Sequence, residues 1–381
     1  MRIGFDAKRA FLNRTGLGNY SRNLIQNLVT FFPENSYILF SPSVQIPEFK
    51  DKFSGFPFKL ILPKLNLGKW YWGIWRSLGV KNRIEEEKLD LYHGLSGEIP
   101  ILPTLVKYKL LVTVHDLIFI RYPHYYKPLD RYFYKKKLEH AIKKSDHILA
   151  ISQQTKNDLI AFLKVPENRV SVIYQGCDNR FYKFLTKETL FETKNRYKLP
   201  DRFILFVGTL ETRKNALELV KAYAGLDKNL KDSVSLIFIG RKTPYINKIY
   251  SFLESNQIQK KYIKFLHSVK DSELPHFYQL AELFVYPSIF EGFGIPILEA
   301  IVSGCPVITS LGSGFKEAGG EESIYINPMN TCEFTISIKK VLEDKGLQAK
   351  MKENGFRHAK KFESSLLTQQ LMDLYKKMVN Y

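Results

Sequence analysis

The stretch PSIFEGFGIPILEAIVSGCPVI, residues 287–308, decides how this chain is interpreted. It holds Glu291 and Glu299, eight residues apart, and a proline at Pro296. Proline favours the first turn of a helix, so we expect Glu291 in the loop before a helix and Glu299 about one turn inside it. The N–H groups at such a helix end attract an anion, and the two carboxylates can accept hydrogen bonds from hydroxyl groups beside it. The pattern predicts a site for a ligand such as a nucleotide sugar. The loop residues expected to line it are Gly292, Phe293 and Gly294.

A second motif, VGTLETRKN at residues 207–215, places Arg213 and Lys214 between a strand end and a helix. Lysine can neutralise a diphosphate as a point charge, and arginine can bind it through two hydrogen bonds. An isolated pair of cations on a loop is more often a solvated surface feature. Beside the paired glutamates, these two cations are candidates for diphosphate binding.

Three further candidate residues follow strands in the first half of the chain. Gly16 and Gly18, in TGLGNY, are expected in a loop after the first strand, where small residues let the backbone approach a phosphate. The loop is not a full G-x-G-x-x-G motif, and a plain tight turn is the alternative. His115 directly follows the strand-like run LLVTV, a position from which a side chain of an open sheet can reach a ligand. A purely structural histidine is the alternative.

The order of apolar runs and helical stretches predicts an α/β chain with parallel sheets. We expect a first Rossmann-like lobe over residues 1–178, a linker over 179–199 and a second lobe over 200–361. Ligands of such sheets bind outside the carboxyl ends of the strands, so a cleft faced by the two lobes is the expected site.

Composition excludes several classes of protein. With 381 residues, 45% of them hydrophobic, the chain is long enough for two folded domains. The three cysteines, Cys177, Cys305 and Cys332, have no C-x-x-C spacing, which indicates neither a disulfide framework nor a zinc site. No signal sequence or run of about 18 apolar residues is found, so we expect a cytoplasmic protein.

The net charge of +19 predicts an anionic partner or surrounding, unless it reflects only a lysine-rich composition of the source. Basic residues mix with aromatic ones in KWYWGIWRS, residues 69–77, and again over residues 121–144. Such mixtures suit an anionic membrane surface or single-stranded nucleic acid. A pair of helices with aromatic faces in the core is the alternative.

No D-x-D triplet, Walker A loop, G-x-S-x-G motif or metal-ligand cluster occurs in the sequence. Side-chain cations are therefore expected to hold the diphosphate in place of a metal. We predict no cofactor and no obligatory metal.

At these residues the sequence resembles the retaining glycosyltransferases of the GT-B fold, the glycosyl transferase group 1 family or family 4, in its mannosyltransferase-like branch. The resemblance runs through the segment from EGFGIPILEA to GCPVITS, through VGTLETRKN, and through the N-terminal TGLGNYSRNL and VTVHDL. It implies an acceptor-binding first lobe, a nucleotide-sugar-binding second lobe, and a C-terminal helix over 362–381 that packs on the first lobe.

The resemblance also implies roles for the candidate residues. Glu291 would meet the donor sugar, Glu299 the ribose hydroxyls, and Lys214 with Arg213 the diphosphate. Gly16 and Gly18 would approach the diphosphate from the first lobe, and His115 would lie at the reaction centre. Thr209 stands where family members often carry arginine, and Arg213 is the candidate to replace it.

The resemblance thus implies transfer of a sugar, with mannose from GDP-mannose suggested by the branch, to a lipid-linked saccharide in bacterial polysaccharide assembly. The enzyme is expected at the inner face of the cytoplasmic membrane, with no nucleic-acid partner. A sugar-nucleotide epimerase of the same architecture and a basic nucleic-acid-binding protein are the alternatives. The paired glutamates argue against the second, because binding nucleic acid does not need them.

Overall fold

Two parallel sheets organise the chain in the computed structural model, which describes residues 1–46, 49, 58–64, 68–101 and 106–380. Each sheet belongs to its own unit. The N-terminal unit comprises Met1–Gly176 with Phe362–Tyr381, and the C-terminal unit comprises Cys177–Lys361. The predicted α/β class and the two Rossmann-like folds are confirmed.

The sheet of the N-terminal unit has the order β3-β2-β1-β4-β5-β6-β7 among the described residues, and all its pairings are parallel. Its strands are β1 Arg2–Asp6, β2 Ser36–Phe40, β3 Phe58–Ile61, β4 Leu91–Gly94, β5 Lys109–Val114, β6 His147–Ala150 and β7 Val170–Val172. The chain builds outward from β1 to β3 and then returns to the other side of β1 with β4. The direction of winding therefore changes between β1 and β4.

Helices and short turns connect these strands. The helices of the N-terminal unit are α1 Lys8–Leu12, α2 Gly16–Phe31, α3 Lys69–Ile74, α4 Lys81–Glu86, α5 Ile118–Arg121, α6 Pro128–Lys144, α7 Gln153–Leu163 and, from the chain's C-terminal end, the helix Ser364–Val379. A π-helical turn, Trp75–Gly79, follows α3, and 3-10 turns span Pro123–Tyr125 and Glu167–Arg169.

The sheet of the C-terminal unit has the order β10-β9-β8-β11-β12-β13, again with parallel pairings. Its strands are β8 Phe203–Val207, β9 Ser235–Ile239, β10 Ile263–Leu266, β11 Leu283–Tyr286, β12 Val307–Ser310 and β13 Ile324–Ile326. Here the winding changes direction between β8 and β11.

The helices of this unit are α8 Lys187–Arg196, α9 Ala216–Ala224, α10 Lys228–Ser233, α11 Ile246–Ser255, α12 Leu274–Leu280, α13 Ile295–Val302, α14 Phe315–Gly319, α15 Thr331–Glu343 and α16 Lys345–Ala359. Its 3-10 turns include Asn179–Tyr182, Thr212–Lys214, Lys260–Tyr262 and Asp271–Glu273. The C-terminal helix Ser364–Val379 is named α17 below.

The C-terminal helix packs on the N-terminal unit, as predicted. Met372 and Tyr375 of α17 lie in the same buried cluster as Phe5 of β1 and Ile25 of α2. The hydroxyl of Tyr375 is 2.7 Å from Nδ1 of the buried His93. Burial of these side chains ties the two ends of the chain together.

The segment 179–199, expected as a linker, contains the 3-10 turn Asn179–Tyr182 and helix α8. Both belong to the C-terminal unit, which begins at Cys177. Side-chain contacts explain this: Thr193 Oγ1 is 2.7 Å from His276 Nδ1, and the Tyr197 hydroxyl donates to Glu273 at 2.7 Å. The segment was predicted as a linker because its composition is polar, but it contains α8, which packs on α12 and on the turn before α12.

Among the described residues, no helix combines the length and the apolar character that a membrane span requires. Trp75 is buried in a core cluster, so part of the aromatic segment 69–77 is structural. The helix α6 is different, because Tyr132 and Phe133 are 57% and 51% exposed on it.

Candidate active site

The change of winding direction in the C-terminal unit brings two predicted motifs together. Ligands of open parallel sheets bind beyond the carboxyl ends of the strands at such a point. The loop after β8 carries Arg213 and Lys214, and the loop after β11 carries Glu291. The backbone joins the two loops, because Ile289 N–H donates to the carbonyl of Arg213 at 2.9 Å.

The cations lie in a tight turn that precedes α9. Asn215 adopts a left-handed conformation with φ of 57°, a region that asparagine tolerates well. Its side-chain amide donates to the Pro328 carbonyl at 2.7 Å, which anchors the turn to the loop after β13. The sequence RKN thus supplies two cations and the residue that fixes their backbone.

Glu291 is the centre of the site. Lys214 Nζ and Glu291 Oε1 form an ion pair, and Arg213 Nη1 lies 2.8 Å from the same oxygen. The side chains of Lys214 and Glu291 are each 14% exposed. Lys214 also donates to the Tyr286 hydroxyl at 2.5 Å, and Ser288 donates to Glu291 at 2.7 Å.

These contacts fix the charge on the Glu291 carboxyl. Burial alone raises its pKa, but the charges of Lys214 and Arg213 outweigh burial and lower the pKa to about 2. Glu291 is therefore ionised at neutral pH. An ionised carboxylate accepts hydrogen bonds only, which suits it to hydroxyl donors.

A glycine sets the path from Glu291 into α13. Gly294 has φ of 108°, a backbone conformation that residues with a Cβ rarely adopt. The helix begins at Ile295, with Pro296 in its first turn. Phe293 is buried, and Gly292 approaches Gly314 so closely that a Cβ on Gly314 would lie 2.6 Å from the Gly292 carbonyl oxygen. The predicted loop and helix positions are confirmed.

Glu299 has a different environment from Glu291. It lies inside α13, and the Tyr278 hydroxyl donates to its Oε2 at 2.9 Å. Burial raises its pKa to about 7, and the Tyr278 hydrogen bond and the charge of Arg180 offset this only in part. At neutral pH this carboxyl is therefore a mixture of ionised and neutral forms.

His115 follows β5 in the N-terminal unit. Its Nε2 is 2.9 Å from the Leu95 carbonyl oxygen, and its Nδ1 is 3.0 Å from the Gln175 side-chain amide. A carbonyl can only accept, so the network assigns the proton to Nε2. Burial lowers the pKa of His115 to about 4, so the imidazole is neutral. The ring of Tyr20 packs edge-on against it at 4.6 Å.

The structure corrects the position of the two N-terminal glycines. A short helix, α1, follows β1, and Gly16 and Gly18 lie in the first turn of α2 rather than in a loop. A Cβ on Gly18 would be 1.8 Å from the Asn13 carbonyl oxygen, whereas one on Gly16 would meet nothing within 4 Å. Gly18 is thus required for packing of the turn against α2.

Sequence reasoning does not single out Tyr286, Ser288 or Tyr278, although all three contact a predicted glutamate. Tyr286 and Ser288 stand at or just after the end of β11, and that position is the signal that could have found them. Within the described part of the chain, no three His, Cys, Asp or Glu residues are grouped to hold a metal ion.

Comparison with known proteins places the chain in a family. The model described as "Glycosyl transferases group 1" matches residues 187–358, and "Glycosyltransferase Family 4" matches residues 15–181. The two matches together take in most of the chain.

Two curated relatives come from Escherichia coli. The O-antigen chain mannosyltransferase B is 26% identical over 386 residues, which cover 99% of this chain and 100% of the relative. The serotype-specific mannosyltransferase WbdA is 30% identical over 274 residues, 71% of this chain, and that match spans 34% of WbdA.

A solved structure has the same fold. That of HepE from Anabaena, in complex with UDP, has a TM-score of 0.74 and 18% identity, with 99% of this chain and 100% of that chain covered. The chain belongs to the group 1 and family 4 glycosyltransferases, and its two parallel-sheet units have the GT-B fold.

Proposed function

We propose that this glycosyltransferase moves mannose from GDP-mannose to a lipid-linked saccharide, with retention at the anomeric carbon, during bacterial polysaccharide assembly. The names of the E. coli relatives support the sugar and the setting, since both are mannosyltransferases and one is named for the O-antigen chain. A nucleotide donor is supported by the bound UDP in the structure of HepE.

The observation that carries the proposal is the contact of Lys214 and Arg213 with Glu291 where the winding changes direction. Both cations form ion pairs with this one carboxylate. When the donor binds, its diphosphate would pair with those cations in place of Glu291. The Glu291 carboxylate would then accept hydrogen bonds from hydroxyl groups of the donor sugar. The charge left on the departing diphosphate is then stabilised by groups already in place.

Glu299 has the role of binding the ribose. It lies one helical turn beyond the start of α13, and its carboxylate form can accept from two neighbouring hydroxyls. The Tyr278 hydroxyl donates to Oε2, and Oε1 would accept from a ribose hydroxyl. His115, neutral and bonded through both nitrogens, would orient a hydroxyl at the reaction centre by exchanging its Leu95 contact.

The transfer step conserves atoms and charge without a covalent enzyme intermediate. The bond between the anomeric carbon and the diphosphate oxygen breaks, and the acceptor oxygen bonds to the same face of that carbon. The acceptor proton passes to the departing phosphate. No obligatory metal is needed in this scheme, because Lys214 and Arg213 supply the positive charge.

We also place the enzyme at the cytoplasmic face of the membrane. Helix α6 combines the exposed Tyr132 and Phe133 with the exposed lysines Lys135 and Lys136. Aromatic rings and lysines together favour the interface of an anionic bilayer. A lipid-linked acceptor would be reached there.

A transfer assay tests the proposal. The purified protein is given GDP-mannose, UDP-glucose, UDP-galactose or dTDP-rhamnose with a lipid-linked saccharide acceptor, in EDTA and with added Mg²⁺. We expect transfer from GDP-mannose that is unaffected by EDTA, and an α-linked product from the α-configured donor by NMR. Transfer only from another nucleotide sugar would refute GDP-mannose as the donor. A β-linked product would refute retention, and loss of activity in EDTA would refute the metal-independent scheme.

A further inference from the structure

The N-terminal unit has its own change of winding direction, between β1 and β4, and an ion cluster lies beside it. Asp6 is the last residue of β1, and Glu98 follows β4 by four residues. Arg76, on the π-helical turn, reaches both carboxylates. Its Nη1 is 3.7 Å from Asp6 Oδ2, and it is ion-paired with Glu98.

Two of these side chains are deeply placed. Arg76 is 8% exposed and Asp6 is 4% exposed. Lys137 of α6 adds a third contact, with Nζ 3.6 Å from Glu98 Oε1. Four segments that are distant in sequence therefore converge on one position beyond the sheet.

The cluster carries more positive than negative charge. Lys8 and Arg9 follow Asp6 directly, and the backbone N–H of Lys8 donates to Asp6 Oδ1 at 3.2 Å. In the part of the chain that the structure describes, neither side chain has an ion pair, and Arg9 Nε is buried without a hydrogen-bond partner. We call Lys8, Arg9, Arg76 and Lys137 the cation cluster. Among the described residues, the carboxylates paired with it are those of Asp6 and Glu98.

The electrostatic consequence is seen at Lys8. Burial, and next the charges of Arg76 and Arg9, lower its pKa to about 8. Lys8 is partly buried and has no ion pair among the described residues, so its charge is unfavourable, and a bound anion would reduce that cost.

The C-terminal unit offers a direct comparison. There the adjacent cations Arg213 and Lys214 follow the first strand of the sheet, as Arg9 and Lys8 do here. Glu291 pairs with both cations, and Glu211 pairs with Arg213. Lys8 and Arg9 occupy the corresponding position in the N-terminal unit, and among the described residues neither forms such an ion pair.

We propose that the cation cluster binds the phosphoryl group of the acceptor, a diphosphate that links a saccharide to a lipid. The identity of the ligand rests on the proposed function, whereas anion binding rests on the cluster alone. A discrete phosphoryl group is favoured over a bilayer surface, because Arg76 is buried and a flat surface would not reach it.

Binding of inorganic diphosphate by calorimetry, with GDP at saturation, tests the proposal on the full chain. Within the described part of the chain Lys8 and Arg9 form no ion pair, so Lys8→Gln and Arg9→Gln leave no described carboxylate without its partner. Charge-assisted hydrogen bonds are worth roughly 1.5–3 kcal/mol, so we expect each variant to bind at least about tenfold more weakly. Lys164→Gln, which removes an exposed lysine of the same unit, should bind like the wild type.

Folding is checked by the melting temperature, which should stay within about 2 °C of the wild type in Lys8→Gln because a like-charge repulsion is removed. Equal diphosphate affinity in all four proteins, or no binding by the wild type, would overturn the proposal. The proposal would also be overturned if Lys8→Gln weakened only binding to phosphatidylglycerol vesicles. The same holds if it weakened only the binding of GDP in the absence of diphosphate. Failure of GDP-mannose to bind, with diphosphate binding still dependent on Lys8, would refute the proposed donor and leave the cluster standing.

Discussion

Replacing Glu299 by glutamine should stabilise the protein, and more strongly at higher pH. In the folded chain, burial raises the pKa of Glu299 to about 7, despite the hydrogen bond from Tyr278. In the unfolded chain the carboxyl has its ordinary value of 4.5. Ionisation at neutral pH therefore favours the unfolded state.

The magnitude follows from these two values. A difference of about 2.5 units at 1.36 kcal/mol per unit is about 3 kcal/mol. Below about pH 4.5 the carboxyl is neutral in both states, and its charge contributes nothing. Between about pH 4.5 and 7 only the unfolded chain loses the proton, so the destabilisation grows, and above that it is constant. We expect the variant to gain about 1 kcal/mol at pH 5 and about 3 kcal/mol at pH 8.

Urea denaturation at pH 5, 6, 7 and 8 measures this gain. The control is Glu353→Gln on α16, where the side chain is 74% exposed and pairs with Arg357. Exposed ion pairs contribute little, so the control should differ from the wild type by less than about 1 kcal/mol at every pH. A gain that is equal at pH 5 and pH 8, or a loss at pH 8, would refute the reasoning.

Three further outcomes are expected. Lys214→Ala should lower turnover by about 100-fold or more, as for loss of one preorganised charge-stabilising group, and a near wild-type rate in the folded variant would contradict the diphosphate role. Gly18→Ala should lower the free energy of unfolding in urea by roughly 1–3 kcal/mol, because the new Cβ would clash with the Asn13 carbonyl. Gly16→Ala should leave that free energy unchanged, and equal effects of the two substitutions would contradict the explanation. Co-sedimentation with anionic vesicles should weaken with salt and with Tyr132→Ser, and equal binding to neutral vesicles would refute the membrane role of α6.

Sequence patterns correctly predicted those helices, strands and loops whose formation depends on neighbouring residues in the chain. Pro296 and the glycines of EGFG predict a loop running into a helix, and the structure has both. Alternation of apolar runs with helical stretches predicts two parallel-sheet units, because strands buried on both faces read as apolar runs. Periodicity could not show α1, whose five residues are too short for a helical pattern, and Gly16 and Gly18 were therefore misplaced.

Properties of the site that depend on distant neighbours could not be predicted. Glu291 and Glu299 look alike in sequence, yet Lys214 from another loop lowers the pKa of the first and burial raises that of the second. Arg76 and Glu98 likewise meet only through the order of the strands. One sequence feature did indicate a second cation site, because a pair of adjacent cations follows the first strand in each unit.

Calorimetric binding of GDP to the wild type and to Lys214→Ala is the most direct test of the central claim, that the loops after β8 and β11 hold a nucleoside diphosphate. The matched control is Lys350→Ala, which removes a lysine that is 66% exposed on α16. We predict that GDP binds the wild type and the control equally, and Lys214→Ala at least about tenfold more weakly. Equal affinity for all three proteins would contradict the claim.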